Sequence, residues 1–163
     1  MKTVLRTLLY LALIVWVGAE VFFPIVAAIT FNTLSPDTHT AGLIVGHLLR
    51  ILHYMGLVSG MVLLALLALA PAWNIYRPRI ALGTMAPVFL MIALTAFSQW
   101  VIIPSMERDR IAAGGAIDTA NPDNSITAHF NRLHNRSENV EGAVLLLGLA
   151  SVVLIAIAET RKP

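Results

Sequence analysis

A small set of ionisable and amide side chains interrupts long apolar stretches of this sequence, and these are the residues that could do chemistry. They are Glu20, His47, Arg50, His53, Tyr54, Gln99, His134, Ser137, Glu138 and Glu141. Charged groups in hydrocarbon are costly, so they normally face the interior of a helical bundle and pair with one another. We therefore expect these side chains to gather in one intramembrane site.

Imidazole and carboxylate groups on facing helices of a four-helix bundle commonly hold haem or a transition metal. The candidate cofactor ligands are the histidines His47, His53 and His134. The candidate metal ligands are Glu20, His47, His134, Glu138 and Glu141. The residues that would support them are Arg50, Tyr54, Gln99 and Ser137. Neither a His-x3-His nor a Glu-x2-His pair occurs in the sequence, so the identity of any cofactor stays open between haem and a transition metal.

Two other hypotheses use the same residues. In the first, Glu20 and Arg50 form an interhelical ion pair, and the histidines with Gln99 add hydrogen bonds that only fix the register of the helices. In the second, glutamates and histidines line a proton or solute pathway. No signature of a Ser-His-Asp triad, a phosphate-binding loop or a zinc protease occurs in the sequence, which makes an enzyme the less expected class.

The composition is that of an integral membrane protein. Of the 163 residues, 58% are hydrophobic and 12% are charged, against about 25% charged residues in soluble proteins. The length suits a single membrane domain, residues 1–163, without a separate soluble catalytic domain. The absence of cysteine excludes disulfides, cysteine-bound metals and thiol catalysis. Because the basic residues are scattered, a nucleic-acid partner is not expected despite the net charge of +2.

Four apolar stretches predict an all-α bundle of four transmembrane helices. The predicted helices span about residues 4–31, 41–70, 80–104 and 126–158. The predicted outer loops span residues 32–40 and 105–125. The first stretch is too long for the apolar core of a signal peptide, so we expect an uncleaved helix. The second outer loop is either a mobile cap or a short surface helix, and Asp123 or Ser125 is expected to cap the last helix.

Lysine and arginine are concentrated on one side of this predicted topology. That side would carry Lys2, Arg6, Arg77, Arg79, Arg161 and Lys162. The opposite side would carry Arg108 and Arg110. Because basic residues favour the cytoplasmic side of a membrane, we expect both termini to lie in the cytoplasm, with the helices in a bacterial inner membrane.

The polar residues are expected to share one depth in the membrane. At about 1.5 Å per residue, Glu20 would lie about 24 Å along its helix, in the outer part of a core about 30 Å thick. His47 and Arg50 would lie about 9 and about 14 Å below the outer end of their helix. Gln99 and His134 would lie near the outer surface. The predicted site therefore opens at the outer face.

Four segments of the chain resemble one known family. They are VWVGAEVFFPIVAAITFNTL, AGLIVGHLLRILHYMGL, VIIPSMERDR and FNRLHNRSENVEGAVLLLGL. In them the chain resembles an uncharacterised four-helix membrane family that is similar to eukaryotic transmembrane protein 205. The resemblance implies a four-span fold, no established activity, and family positions at Pro104, Arg108, Phe130, His134 and Ser137.

The expected function is therefore non-enzymatic: an integral membrane protein binds or handles a small cation, metal or haem at an outward-opening His/Glu/Arg site. A structural or accessory subunit of a larger membrane complex is the first alternative, and a proton-coupled carrier of small solutes is the second. The expected partners are the lipid bilayer and either another membrane protein or a second copy of the chain. Gly56-x3-Gly60 is a spacing that permits close helix contact or dimerisation.

Overall fold

A computed structural model describes residues 2–115, 117 and 124–160, and these residues are almost entirely helical. The elements in chain order are α1 (Lys2–Thr33), α2 (Thr38–Leu69), α3 (Pro78–Phe97), a π-helical turn (Ser98–Ile102), α4 (Ile103–Ala112) and α5 (Ser125–Thr160). Since α3, the π-turn and α4 are continuous, they form one long helix. The described part of the chain thus holds four helices that are long and apolar enough to cross a membrane, which confirms the prediction of an all-α, four-span protein.

The third span is longer than the sequence predicted. It continues past Pro104 to Ala112, so residues 105–112 are helical rather than part of a loop. Proline cannot donate a hydrogen bond to the carbonyl one turn earlier and normally kinks or ends a helix. Here the backbone N–H of Ile103 bonds to the carbonyl of Ser98, five residues earlier, and this wider turn carries the helix past the proline.

Side chains cap the N-terminal ends of α2 and α5. The Asp37 carboxylate accepts a hydrogen bond from the backbone N–H of Thr40 at 3.0 Å, and this bond lowers the pKa of the Asp37 carboxyl group. At α5 the cap is Asn124, whose side-chain oxygen accepts from the backbone N–H of Ile126 at 3.1 Å. Ser125 is the first residue of α5 instead of its cap, and the other predicted cap, residue 123, lies outside the described residues.

The bundle is a ring in which α1 packs on α2, α2 on α3, α3 on α5, and α5 on α1. Its interior is mostly apolar and includes the fully buried side chains of Leu9, Trp16, Leu63, Met91 and Ile155. The outer surface is also rich in exposed large apolar side chains on every long helix. An apolar exterior around an apolar interior is what a helix bundle in lipid requires.

Trp16 is the largest side chain in this core, and two glycines of α2 make room for it. A Cβ atom at Gly56 would lie 2.4 Å from the Trp16 Nε1 atom, and one at Gly60 would lie 2.4 Å from Trp16 Cζ3. Both distances are far below van der Waals contact. The Gly56-x3-Gly60 spacing therefore serves a close contact between α1 and α2 within one chain.

A polar cluster joins the helices at the end of the bundle that holds the termini. The buried Tyr76 hydroxyl donates to Glu159 Oε1 at 2.7 Å, and Arg6 Nη2 lies 3.2 Å from Glu159 Oε2. Lys2 Nζ donates to the backbone oxygen of Asn74 at 3.3 Å. Arg6 of α1 and Tyr76 of the α2–α3 connection thus contact the same carboxylate of α5, that of Glu159. This cluster is not predicted from the sequence, in which the basic residues indicate only the topology.

Replacing Tyr76 by phenylalanine should lower the free energy of unfolding in detergent by about 1 kcal/mol, since one buried hydrogen bond is lost. Burial and the bond to Glu159 raise the pKa of Tyr76 above its ordinary value of 10.0. Because the phenol ionises more readily in the unfolded chain, the stabilisation is complete below pH about 10 and declines as the pH rises further. Denaturant unfolding at pH 7.5 and above pH 10 measures both effects.

The matched control for this prediction is Tyr54→Phe. Tyr54 is 54% exposed, and the described residues give its hydroxyl no hydrogen-bond partner. We expect this substitution to leave the free energy of unfolding unchanged within about 0.5 kcal/mol. Equal losses in the two variants would show that the Tyr76 contact with Glu159 does not stabilise the fold.

Candidate functional site

The bundle opens at the end opposite the termini, where a cavity of about 900 Å³ lies between the helices. Its walls come from the second half of α1, the first half of α2, α4 and the first half of α5. Most of the lining side chains are apolar. The ionisable residues among them are Glu20, His39, His47, Arg50, Glu107, Arg110, His134, Glu138 and Glu141.

The predicted site residues fall into three groups in the structure. Those on the cavity wall are Glu20, His47, Arg50, His134, Ser137, Glu138 and Glu141. His53 and Gln99 lie behind the wall, where His53 contacts both Gln99 and Glu141. Tyr54 is 54% exposed and is not part of the wall. It follows His53 directly, and one residue turns a helix by about 100°, so the two side chains leave α2 on different faces.

Glu141 forms the floor of the cavity and joins three elements of the bundle. Its Oε1 atom lies 2.9 Å from His53 Nε2 and accepts a hydrogen bond from the Ser98 hydroxyl at 3.0 Å. His53 is 0% exposed, and its Nδ1 atom lies 2.9 Å from Gln99 Oε1. The Glu141 Oε2 atom is buried and has no hydrogen-bond partner among the described residues.

The π-turn is what brings two consecutive residues of the third span into this network. Ser98 and Gln99 are both buried, and they bond to Glu141 and to His53 respectively. In a regular α-helix neighbours diverge by about 100°, whereas a π-turn advances by less per residue. Short π-turns inside helices are frequent at functional sites, and no local pattern in the sequence predicted this one.

Glu20 is held by its own helix rather than by Arg50. Its carboxylate accepts a hydrogen bond from Trp16 Nε1, one turn earlier, at 3.2 Å, and the residue is 4% exposed. Within the described ranges, Arg50 forms no ion pair with Glu20 or with any other carboxylate. The predicted Glu20–Arg50 pair is therefore wrong, and the Arg50 guanidinium lies on the cavity wall without an anionic partner from those ranges.

Aromatic and charged side chains of α4 and α5 surround the mouth of the cavity. The Phe130 and His134 rings are stacked with centroids 6.4 Å apart, and the Arg110 guanidinium carbon lies 5.8 Å from the Phe130 centroid. Arg110 also pairs with Glu107 at 2.9 Å. Because residues 105–125 are predicted to form a loop, the predicted site does not include Glu107 and Arg110.

A periodic signal could have placed Arg110 in the site. Gln99, Ile103, Met106 and Arg110 follow a spacing of four, three and four residues, which puts them on one face of a helix. The last three line the cavity, and Gln99 contacts His53 just behind the wall. Pro104 and the polar residues after it argue against continuing the helix through them.

The geometry gives no support to a metal site. Across residues 2–115, 117 and 124–160, no group of three or more histidine, aspartate or glutamate side chains is placed to hold a metal ion. His53 has both ring nitrogens engaged. His134 lies 3.3 Å from Glu138 on the same helix, and His47 Nδ1 lies 2.8 Å from the backbone oxygen of Leu43. His47 and His134 are thus the predicted cofactor ligands that still border the cavity.

Comparison with known proteins identifies one family. A family profile described as "Domain of unknown function (DUF4149)" matches residues 11–110. The matched segment contains Glu20, His53 and Gln99 and ends before α5, so Glu141 lies beyond it. No curated protein and no solved structure gives a significant match.

Proposed function

We propose that this chain, which belongs to the family described as a domain of unknown function (DUF4149), is an integral membrane protein that binds a small organic cation in its cavity. The observation that carries the proposal is the Glu141 carboxylate at the cavity floor. One of its oxygens is buried without a hydrogen-bond partner among the described residues. A buried acceptor of this kind is costly unless a ligand or a proton satisfies it.

The balance of charge on the cavity wall favours a cation. Four carboxyl groups and two guanidinium groups line it, so the acidic groups of the wall outnumber its guanidinium groups by two. Charges interact far more strongly in the low-dielectric interior of a membrane protein than in water. A positively charged ligand would offset this excess and be held more firmly than a neutral or anionic one.

The size of the cavity and its apolar walls favour an organic cation over a bare ion. The cavity measures about 900 Å³, and its wall includes Phe23, Phe31, Leu49, Met106 and Leu145. Sites for small organic molecules are typically concave and mostly apolar, with a few polar groups that fix the ligand. The ligand we propose therefore has an apolar body and one positive charge.

The orientation of the protein determines where this ligand enters. The cavity lies at the end of the bundle opposite both termini, and the distribution of lysine and arginine supports cytoplasmic termini. In a bacterial inner membrane the cavity would then open to the outer face. Similarity to the transmembrane protein 205 family remains an interpretation of the sequence, and it adds no activity to this proposal.

A structural or accessory role is the second candidate. The observation that favours it is the hydrogen-bond network of Gln99, His53, Glu141 and Ser98, which ties the π-turn to α2 and α5. Polar networks of this kind fix helix register without any ligand. Such a protein would bind neither organic cations nor haem.

Binding of tetraphenylphosphonium to the purified protein in detergent tests the proposal by calorimetry. Tetraphenylborate is the control, because it has nearly the same size and shape and the opposite charge. We expect saturable binding of the phosphonium and none of the borate. Binding of neither ion, or tighter binding of the borate, would overturn the proposal. A Soret band in the optical spectrum that disappears in His134→Ala would support haem in its place.

A further inference from the structure

The hydrogen bonds around His53 fix how many protons the floor of the cavity can hold. With the Gln99 amide oriented so that its oxygen faces His53, that oxygen can only accept, and in this orientation the hydrogen in the bond belongs to His53 Nδ1. The contact of 2.9 Å between His53 Nε2 and Glu141 Oε1 then needs a second hydrogen, because two lone pairs at this distance would repel. That second proton belongs either to the imidazole or to the carboxyl group.

The pair carries no net charge as long as it keeps this shared proton. An imidazolium beside a carboxylate and an imidazole beside a carboxylic acid are both neutral overall. Loss of the proton would leave one negative charge on side chains that are 0% and 15% exposed. Such a charge is costly within a membrane, unless a cation takes the place of the proton.

The charged groups around the pair come from four helices and have opposing effects on the proton. Glu20 of α1 and Glu138 of α5 are carboxylates on the same cavity wall, and they favour retention of a proton or a cation. Arg50, one turn before His53 on α2, opposes it, while Arg110 of α4 already has Glu107 as its partner. The π-turn contributes only the neutral groups of Ser98 and Gln99.

We infer that the His53–Glu141 pair exchanges its shared proton for the organic cation, an inference that rests on the proposed function. The cation approaches the Glu141 carboxylate from the cavity, and the proton leaves the pair for the bulk solution through the same opening. One positive charge arrives and one leaves, so the net charge of the site is unchanged. The site would therefore bind its ligand in competition with protons.

Calorimetry in two buffers with different ionisation enthalpies counts the protons released when tetraphenylphosphonium binds. We expect about one proton per bound cation, and an affinity that weakens by up to about tenfold for each unit by which the pH falls. In His53→Gln the amide donates to a Glu141 carboxylate that no longer shares a proton. We expect this variant to bind the phosphonium with almost no proton release.

The control is His129→Gln, because His129 is exposed, pairs with Asp109 at 2.7 Å and lies outside the cavity wall. It should release as many protons as the unmodified chain. Binding without proton release in the unmodified chain would overturn this inference and leave the proposed function standing, whereas no binding at all would overturn the proposed function. Undiminished release from His53→Gln would overturn the role of the pair and point to Glu20. If His53→Gln fails to fold, the number of protons released by the unmodified chain decides whether binding is coupled to proton release.

Discussion

Replacing Glu141 by glutamine is expected to weaken tetraphenylphosphonium binding on the order of a hundredfold, the loss typical of removing one partner from a buried charge pair. The substitution keeps the shape of the side chain. Its amide oxygen can still accept the hydrogen bond that Ser98 now donates at 3.0 Å. What it removes is the negative charge at the floor of the cavity. Calorimetric titration at fixed pH measures the change in affinity.

Glu138→Gln is the matched comparison for this variant. It makes the same chemical change on the same helix, three residues earlier, but the Glu138 side chain is 66% exposed at the mouth of the cavity. Water screens a charge there much more effectively, so we expect a loss of about threefold or less. If both substitutions weaken binding equally, the cation is attracted by the combined negative charge of the wall. The Glu141 carboxylate then contributes no more to the affinity than the Glu138 carboxylate does.

The sequence was sufficient to predict the four spans because each one is a long run of apolar residues, and that signal is local. It failed at the end of the third span, where Pro104 and the polar residues after it resembled the start of a loop. The π-turn that carries the helix onward is stabilised by contacts with His53 and Glu141. Those contacts come from other helices and are invisible in the local sequence.

The site was only partly predictable for a related reason. The depth of a residue follows from the rise of about 1.5 Å per residue, and six of the predicted ionisable residues do border one cavity. Pairing, in contrast, depends on the rotation of each helix about its axis. Glu20 bonds to Trp16 on its own helix and not to Arg50, and His53 lies behind the wall on which His47 lies. Rotating a helix about its axis by a few tens of degrees changes which partner a side chain meets.

Alanine at Gly60 is expected to lower the free energy of unfolding by roughly 2 kcal/mol, within the usual range for overpacking a core. Its Cβ atom would lie 2.4 Å from Trp16 Cζ3 and 2.7 Å from Ile92 Cγ1, so the indole must move. Gly56→Ala should have a similar effect, since its Cβ would lie 2.4 Å from Trp16 Nε1. Denaturant unfolding in detergent micelles measures both.

The control for these glycines is Gly18→Ala, because no atom lies within 4 Å of a Cβ added there. Alanine is the better helix former, so this variant should be unchanged or more stable by up to about 1 kcal/mol. Adding Trp16→Phe to Gly60→Ala should restore part of the lost stability, because the smaller ring vacates the space that the new methyl group needs. If the losses of stability in that double variant are additive, the new methyl group at Gly60 does not press on the Trp16 indole.

The Trp16 indole also donates a hydrogen bond to Glu20, so Gly56→Ala should weaken cation binding as well. This effect would link the packing of the core to the floor of the cavity.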